Sequence, residues 1–242
     1  MERKTYMRDV YSNYWVTARE EKYGFSKYDK RLCEMILEGA EANQKILEVA
    51  IGTGEPVAQY LQQQGLEVHG IDISPLLVEK CLAINPEIKA VVGDAENLHY
   101  DSDEFPNTYC FHSTWYFPDF KKALREMIRV TQPGGRILFD ILNRNNKAML
   151  NSYRRRVLKG TLPFRILRFG KNVLKLVFRV GKPNWHYAVF DVPTDPQEVY
   201  DIIDEERITG FEIFKYKDGR FERTESRNEY ADYPKLIFIL TK

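Results

Sequence analysis

The most constraining feature of the sequence is the passage 45–57, which reads Lys-Ile-Leu-Glu-Val-Ala-Ile-Gly-Thr-Gly-Glu-Pro-Val. Its first half is an apolar run with one acid, which is typical of a strand buried on both faces of a parallel sheet. The run ends at two glycines, Gly52 and Gly54, which permit positive φ and let a ligand approach the backbone closely. Pro56 then suits the first turn of a helix, where its missing N–H costs little. This order of strand, glycine turn and helix predicts the start of a nucleotide-binding α/β unit.

The glycine turn does not match the two common phosphate-binding patterns. A G-x-G-x-x-G pattern that starts at Gly52 needs a glycine at position 57, where the sequence has Val57. A Walker loop needs Gly-Lys-Ser or Gly-Lys-Thr, and the sequence contains neither. Glu55 also places a negative charge at the predicted start of the helix, where a pyrophosphate would bind. The pattern therefore favours a ligand that carries an adenosine but no phosphate.

The passage 48–54, Glu-Val-Ala-Ile-Gly-Thr-Gly, resembles the first motif of the class I S-adenosylmethionine-dependent methyltransferases, acid-x-Gly-x-Gly-x-Gly. Ala50 takes the place of the first glycine in that motif. The resemblance implies an α/β fold with a Rossmann-like sheet of seven mostly parallel strands, and S-adenosyl-L-methionine as the cofactor. It also implies that Glu48, Ala50, Gly52 and Gly54 contact this cofactor.

Two acids that follow the next predicted strands match further positions of the family. Asp72 ends the second strand, where a carboxylate can accept both hydroxyls of a ribose. Asp94 follows the third strand and matches the family's acceptor for the adenine amino group, while the backbone N–H of Ala95 serves the ring. Ile73 is included in the predicted cofactor contacts. The alternative for Asp72 is a solvated strand-end acid, and the alternative for Asp94 is a turn cap.

An aromatic group follows the predicted fourth strand, residues 105–113. Residues 112–117 read His-Ser-Thr-Trp-Tyr-Phe. Because open α/β sheets bind ligands beyond the carboxyl ends of their strands, we expect this group near the transferred methyl and the acceptor. His112 is therefore a candidate general base or cofactor contact, and a purely structural histidine is the alternative.

The fifth strand is preceded by another passage that resembles the family. An amphipathic pattern predicts a helix over 120–130, followed by Thr-Gln-Pro-Gly-Gly and a strand over 136–140. Four matching passages therefore lie in the family's order between residues 46 and 143. They predict one methyltransferase domain over residues 1–242, in which the tyrosine-rich residues 1–40 form an N-terminal helical cap.

The last quarter of the sequence is expected to complete the sheet. A helix is predicted over 196–207 and strands over 211–216 and 235–241. The resemblance implies that the final strand is antiparallel and lies between the fifth and the sixth. The Asp218-Gly219 pair between these two strands is a tight-turn signal.

The segment 144–190, after the fifth strand, departs from the minimal fold and is predicted to be a basic helical insertion that forms a lid. Residues 144–185 contain 12 Lys and Arg and no acid, with apolar residues at helical spacing beside the basic ones. Three interpretations stay open: a cap helix with a solvated basic side, a lid over an anionic acceptor, or a helix on a membrane surface. A nucleic-acid face is less supported because the basic residues form one block. His186, just after the basic block, is a second candidate base.

Composition narrows the class of protein but does not identify a partner. The net charge is +1, and the three cysteines and four histidines form no zinc pattern, so no metal site is predicted. The N-terminus does not resemble a signal peptide, and no run of about 18 apolar residues exists. A cytoplasmic protein is expected, with membrane-peripheral association as the alternative, and the oligomeric state is not indicated.

These observations predict transfer of a methyl group from S-adenosyl-L-methionine to an oxygen or nitrogen of a small acceptor, including an anionic one. Sugars, lipid-linked compounds and secondary metabolites are the acceptor classes considered. One alternative is a membrane-peripheral or regulatory protein that binds the cofactor without chemistry. The other is a nicotinamide-dependent oxidoreductase, against which the missing third glycine argues.

Overall fold

The computed structural model of the protein describes Lys4, Arg8 and residues 24–159, 162–177, 191–206 and 208–242. His186, one of the two candidate bases, lies outside the described residues, as does most of the tyrosine-rich N-terminal segment.

A single mixed sheet forms the centre of the fold, and it has eight strands. They are β1 Lys45–Val49, β2 Glu67–Asp72, β3 Lys89–Val92, β4 Phe105–Cys110, β5 Thr131–Leu142, β6 Gly210–Lys217, β7 Arg220–Thr224 and β8 Lys235–Thr241. Their spatial order is β3-β2-β1-β4-β5-β8-β6-β7. The strands β1 to β5 pair in parallel, and β8 runs antiparallel to both β5 and β6.

Seven helices are named in the described residues: α1 Lys27–Leu37, α2 Val57–Gln63, α3 Pro75–Ile84, α4 Phe120–Val130, α5 Lys147–Lys159, α6 Leu162–Val177 and α7 Pro196–Glu205. A short 3-10 turn covers Thr114–Tyr116. Several helices begin where the sequence supplies a capping side chain. Ser74 accepts the N–H of Leu77 at the start of α3, and Asp195 accepts the N–H of Gln197 at the start of α7.

The core lies on both faces of the sheet, as expected for parallel strands covered by helices. Leu47 and Val49 of β1 pack on the face covered by α4 and α7. Ile46 of the same strand packs on the opposite face, against α1, α2 and α3. This three-layer α/β arrangement leaves the carboxyl ends of the parallel strands at one edge, where the loops can form a site.

The predicted α/β fold with a mostly parallel Rossmann-like sheet is confirmed, including the antiparallel final strand between β5 and β6. The predicted strand number of seven is wrong, because the polar segment after β6 turns back as β7. Asp218 and Gly219 have φ values of 51° and 81°, so both turn residues have the positive φ of a type I′ hairpin. The turn signal was visible in the sequence, but the charged residues of β7 gave no strand pattern.

One strand boundary differs from the sequence prediction for a local reason. β5 begins at Thr131, five residues before the expected start, because Thr131 already pairs with Phe105 of β4. The register then shifts across the Pro-Gly-Gly passage before Arg136 pairs with Asn107. Gly135 makes this pairing possible, since a Cβ there would lie 2.2 Å from the carbonyl oxygen of Pro106. In the insertion, α6 continues through Gly170 without a break. The cap and lid roles of residues 1–40 and 144–190 stay predictions.

No helix in the described part of the chain has the length and apolar character needed to cross a membrane.

Candidate functional site

A cavity of about 590 Å³ opens at the carboxyl ends of the parallel strands. Its volume falls in the range of small-molecule sites, which is roughly 300–1,000 Å³. Loops from four neighbouring strands line it, which is the usual place for a ligand in an open α/β sheet. The predicted cofactor residues that line this cavity are Ala50 and Gly52 after β1, Asp72 and Ile73 at β2, Asp94 and Ala95 after β3, and His112 after β4.

Two predicted cofactor residues, Glu48 and Gly54, do not line the cavity. Glu48 is buried in β1, and its Oε2 accepts the hydroxyl of Tyr109 at 2.8 Å. Gly54 lies against α3, where an added Cβ would stand 2.9 Å from Cys81 Sγ. Both residues are therefore buried next to the turn and do not face the cavity.

The turn after β1 has an unusual backbone at Ala50. Its φ is 65°, in the left-handed region that glycine adopts without strain and that alanine rarely adopts. The backbone N–H groups of Ala50 and Ile51 both bond to the carbonyl oxygen of Ile71, at 2.8 and 3.0 Å. These bonds hold the turn in the glycine-type conformation although the first glycine of the motif is absent.

Asp72 connects the ends of β1 and β2. Its Oδ2 accepts the backbone N–H of Gly52 at 2.9 Å, and its Oδ1 accepts the N–H of Ser74 at 2.9 Å. The residue is 8% exposed and lines the cavity. The two backbone bonds orient the carboxylate at the cavity floor, since a charged acceptor forms strong bonds with N–H groups.

Asp94 lies at the cavity in a cluster that the sequence did not indicate. Lys4 Nζ is 2.6 Å from Asp94 Oδ2 and 2.6 Å from Glu96 Oε2, while Asp94 Oδ1 accepts the N–H of Glu96 at 2.9 Å. Burial lowers the pKa of Lys4, but its bonds to the two carboxylates outweigh that effect and raise the pKa above its ordinary value. Any ligand that forms a hydrogen bond with Asp94 therefore shares this carboxylate with Lys4.

His112 stands at the end of β4 with its backbone in the left-handed region, at a φ of 58°. Its backbone N–H donates to Asp140 Oδ1 at 2.8 Å, and its ring Nε2 lies 2.7 Å from Asp29 Oδ1. The other ring nitrogen, Nδ1, is 3.9 Å from Asp140 Oδ2. Left-handed backbone at a non-glycine residue often marks a functional site, where the surroundings hold it in place.

Asp29 was not singled out from the sequence, although it belongs to a recognisable pattern. It lies in the first turn of α1 and forms a capping box with Ser26, whose side chain accepts the N–H of Asp29. Burial raises the pKa of Asp29, but hydrogen bonds from His112 and Ser26 outweigh it and lower the pKa to about 2. The carboxylate beside His112 is therefore ionised at neutral pH.

Asp140 is the second acid beside His112, and it is completely buried. The hydroxyl of Tyr28 donates to its Oδ2 at 2.9 Å, and Lys235 Nζ lies 3.5 Å from the same oxygen. Lys235 also stands 4.5 Å from the ring centre of Tyr28 and 4.9 Å from that of Trp115. The sequence placed Asp140 only as the last residue of a predicted strand, and nothing local distinguished Lys235.

The described residues of α5 and α6 do not line the cavity. In the described part of the chain no group of three or more His, Cys, Asp or Glu side chains has the arrangement of a metal site. Cys33, Cys81 and Cys110 are buried and free.

Residues 47–139 match the family described as "Methyltransferase domain". This range contains the glycine turn and both strand-end acids that meet in the cavity. This part of the chain is a methyltransferase domain of the class I S-adenosylmethionine-dependent type. S-adenosyl-L-methionine is the cofactor of this methyltransferase family.

Curated relatives match nearly three fifths of this chain. The demethylmenaquinone methyltransferase of Thermotoga maritima is 32% identical over 142 residues, covering 57% of this chain and 61% of the relative. The ubiquinone biosynthesis O-methyltransferase of Aliivibrio fischeri is 30% identical over 152 residues, covering 59% of this chain and 63% of the relative. The chain thus spans less than two thirds of the length of these relatives.

Among solved structures, magnesium protoporphyrin IX methyltransferase from Synechocystis PCC 6803 with bound SAH resembles this chain along its whole length. The TM-score is 0.59 at 13% identity, with 99% of this chain and 100% of that chain covered. At this identity the likeness establishes the fold.

Proposed function

We propose that the protein transfers a methyl group from S-adenosyl-L-methionine to an oxygen or nitrogen of a small acceptor. One observation carries this proposal: Asp72 and Asp94, from the ends of two adjacent strands, line one cavity together with the glycine turn at Gly52. An acid at each of these places suits the two polar ends of an adenosine, its ribose and its adenine amino group.

The residues at the cavity fit the adenosyl group. Asp72 would hold the ribose hydroxyls, and Asp94 and Ala95 would bind the adenine edge. Apolar side chains from Ile73, Leu77 and Phe117 line the cavity and would enclose the adenine ring. The start of α2 is a poor site for a phosphate, because this helix has only seven residues and carries no basic residue in its range.

Ala50 and Gly52 would face the methionine part of the cofactor, since both line the cavity at the end of β1. Glu48 and Gly54 enter the proposal as residues that shape this turn, because they lie beneath it. When bound, the cofactor supplies an electrophilic methyl group on a positively charged sulfur. The protein then has to align the acceptor with that methyl group, and such alignment can supply roughly 7–11 kcal/mol of the barrier.

The acceptor end of the cavity lies around His112. Trp115, Tyr116 and Tyr216 line this part of the cavity, and His112 would take the proton of an acceptor hydroxyl. His186 stays a second candidate base, on sequence grounds alone. The names of the relatives include quinone-pathway methyltransferases, which favours an acceptor with a flat ring for this chain as well.

Product formation tests the proposal directly. The protein is incubated with methyl-labelled S-adenosyl-L-methionine and small-metabolite, sugar and lipid extracts, and labelled products are identified by mass. Label that appears on an acceptor with the parent but not with Asp72→Ala supports the proposal. Cofactor binding without any labelled product would favour the regulatory alternative. A change in the fluorescence of a reduced nicotinamide on mixing would favour the oxidoreductase alternative.

We further propose that the basic insertion faces an anionic membrane surface, from which a lipid-linked acceptor would be taken. Three apolar side chains on α6 are largely exposed, with Ile166 at 63%, Leu167 at 62% and Phe169 at 59%. The segment 144–185 around them carries 12 Lys and Arg and no acid. An apolar helix face bordered by bases suits the interface of an anionic bilayer, which attracts each base by about 1 kcal/mol.

Flotation with vesicles tests this surface. The parent should float with vesicles that contain phosphatidylglycerol and much less with phosphatidylcholine alone. Ile166→Ser with Leu167→Ser should reduce flotation, whereas Leu82→Ser with Ile84→Ser, which changes exposed apolar residues of α3, should not. Equal flotation of all three proteins would overturn the membrane proposal, and a change of oligomeric state in the α6 variant would show contact between copies instead.

A further inference from the structure

The ring of His112 is held in one orientation by Asp29. The distance from His112 Nε2 to Asp29 Oδ1 is 2.7 Å, which is a hydrogen bond. Because the bonds from His112 and Ser26 outweigh burial and keep the pKa of Asp29 low, the carboxylate can only accept in this bond. Nε2 therefore carries the hydrogen. A neutral imidazole has one hydrogen, so its lone pair is on Nδ1.

Nδ1 is left open for a ligand. Asp140 Oδ2 is the nearest carboxylate oxygen, at 3.9 Å, which is too long for a hydrogen bond. That oxygen instead accepts the hydroxyl of Tyr28 and lies near Lys235. Within the part of the chain that the structure describes, Nδ1 has no hydrogen-bond partner, and His112 lines the cavity.

Charges from three elements face this histidine. Asp29 approaches from α1, Asp140 from β5 and Lys235 from β8, and the neutral hydroxyl of Tyr28 bonds to Asp140. With a neutral His112, the two carboxylates exceed the single ammonium by one negative charge.

We propose that Asp29 and His112 form a hydrogen-bonded pair that acts as a general base. Asp29 positions the ring, and Nδ1 of His112 takes the proton of an acceptor hydroxyl carried on an aromatic ring. The catalytic role of this pair rests on the proposed methyl transfer, whereas the pair itself rests on the contact between Asp29 and His112. The O–H bond breaks with its proton going to Nδ1, and the oxygen's electron pair forms the bond to the methyl carbon. The electrons of the methyl–sulfur bond stay on sulfur.

The choice of an aromatic hydroxyl follows from acidity and from the walls of the cavity. A histidine titrates at about 6.5, and a phenol at about 10 is far closer to it than an aliphatic alcohol. The rings of Trp115, Tyr116 and Tyr216 line the cavity and offer flat faces for a second ring. Lys235, close to Tyr28 and Trp115, adds a cation that favours the negative charge of a phenolate.

Nitrogen-15 NMR of the histidine side chains tests the pair without any turnover. His112→Gln assigns the His112 signals in the parent. The neutral ring of the parent should show its hydrogen on Nε2. Asp29→Asn should lower the fraction of rings with this tautomer, because an amide offers a donor as well as an acceptor. Asp29→Glu keeps the carboxylate and should restore part of the parent behaviour, while Asp101→Asn, an exposed acid elsewhere, should change nothing. A hydrogen on Nδ1 in the parent, or an unchanged tautomer fraction in Asp29→Asn, would overturn the pair.

A second measurement tests the acceptor class with a defined probe. 4-Nitrophenol, whose visible absorbance reports its ionisation, should become more ionised on binding to the parent and not on binding to His112→Gln. If the probe ionises equally with both proteins, the hydroxyl acceptor is wrong. With methyl-labelled cofactor and a phenolic acceptor, His112→Gln should lose on the order of 10²-fold or more in kcat/KM. An intact NMR result with no methyl transfer to any acceptor would remove the proposed function and leave the Asp29–His112 pair in place.

Discussion

Asp72 Oδ2 accepts the backbone N–H of Gly52 at 2.9 Å, and this bond connects the end of β2 to the glycine turn that follows β1. The same carboxylate holds the N–H of Ser74 at the start of α3. One buried acid thereby sets the shape of two neighbouring loops and also faces the cavity. Its loss should affect both the shape of the site and any ligand that bonds to it.

Asp72→Ala should weaken the binding of S-adenosyl-L-methionine. The change removes a carboxylate that can accept hydrogen bonds from the ligand, and it leaves the N–H of Gly52 without its bond. The expected loss of binding free energy is about 1–3 kcal/mol, or roughly five- to 150-fold in Kd. Isothermal titration calorimetry measures it, with Asp101→Ala as the control because this acid is exposed and remote from the cavity lining. Equal affinity in both variants would remove Asp72 from the cofactor site.

Asp94→Ala should weaken the same binding by a similar amount, about 1–3 kcal/mol, if this acid accepts from the adenine amino group. Lys4→Met provides the contrast, because it removes the lysine that shares Asp94 at 2.6 Å. We expect Lys4→Met to bind the cofactor at least as tightly as the parent. A tenfold loss of affinity in Lys4→Met with no loss in Asp94→Ala would assign the contact to the lysine.

Ala50→Gly should stabilise the protein slightly. An alanine in the left-handed region carries a backbone strain of roughly 1–2 kcal/mol, which the glycine would relieve. The greater conformational freedom of glycine in the unfolded chain lowers the stability by roughly 0.4–1 kcal/mol and offsets part of this relief. We therefore expect a rise of up to about 1 kcal/mol in the free energy of unfolding, measured by urea titration. Ala58→Gly, within α2, should instead lower it by about 1 kcal/mol or more. A destabilised Ala50→Gly would show that the Ala50 methyl makes a packing contact that outweighs its strain.

Asp29 should make the stability depend on pH in the acid range. Its pKa falls from the ordinary 3.8 to about 2 in the folded state, so the folded protein binds its proton more weakly than the unfolded chain. The stabilisation is complete above pH 3.8 and is lost as the pH falls through about 2. Its size is about 2 kcal/mol, because one unit of pKa corresponds to roughly 1.4 kcal/mol.

Urea unfolding of the parent and Asp29→Asn at several pH values measures this effect. The variant should be less stable than the parent at pH 6, and the difference should shrink as the pH approaches 2. Glu34→Gln changes an acid on the same helix whose side chain is 42% exposed, and it should show a much smaller difference at pH 6. A constant difference between parent and Asp29→Asn at all pH values would mean that the carboxylate charge does not carry the stabilisation.

Local patterns were enough to predict the strands β1 to β5, the glycine turn and the two strand-end acids. Each of these depends on residues that are neighbours in the chain, such as the apolar run before Gly52 or Asp72 at the end of its strand. The predicted cofactor contacts at Glu48 and Gly54 stay predictions. In the structure Glu48 bonds to Tyr109 and the Gly54 backbone lies close to Cys81, and a motif alone does not indicate such packing.

The surroundings of His112 could not be predicted from neighbouring residues, because they come from distant elements of the chain. Asp29 and His112 are 83 residues apart, and Lys235 and Asp140 are 95 residues apart. The antiparallel β8 brings Lys235 beside β5. The capping box at the start of α1 holds Asp29, which contacts His112 after the end of β4. Hydrophobic periodicity and glycine turns specify the layers of this fold, whereas contacts between charged side chains arise only after the sheet order has brought those layers together.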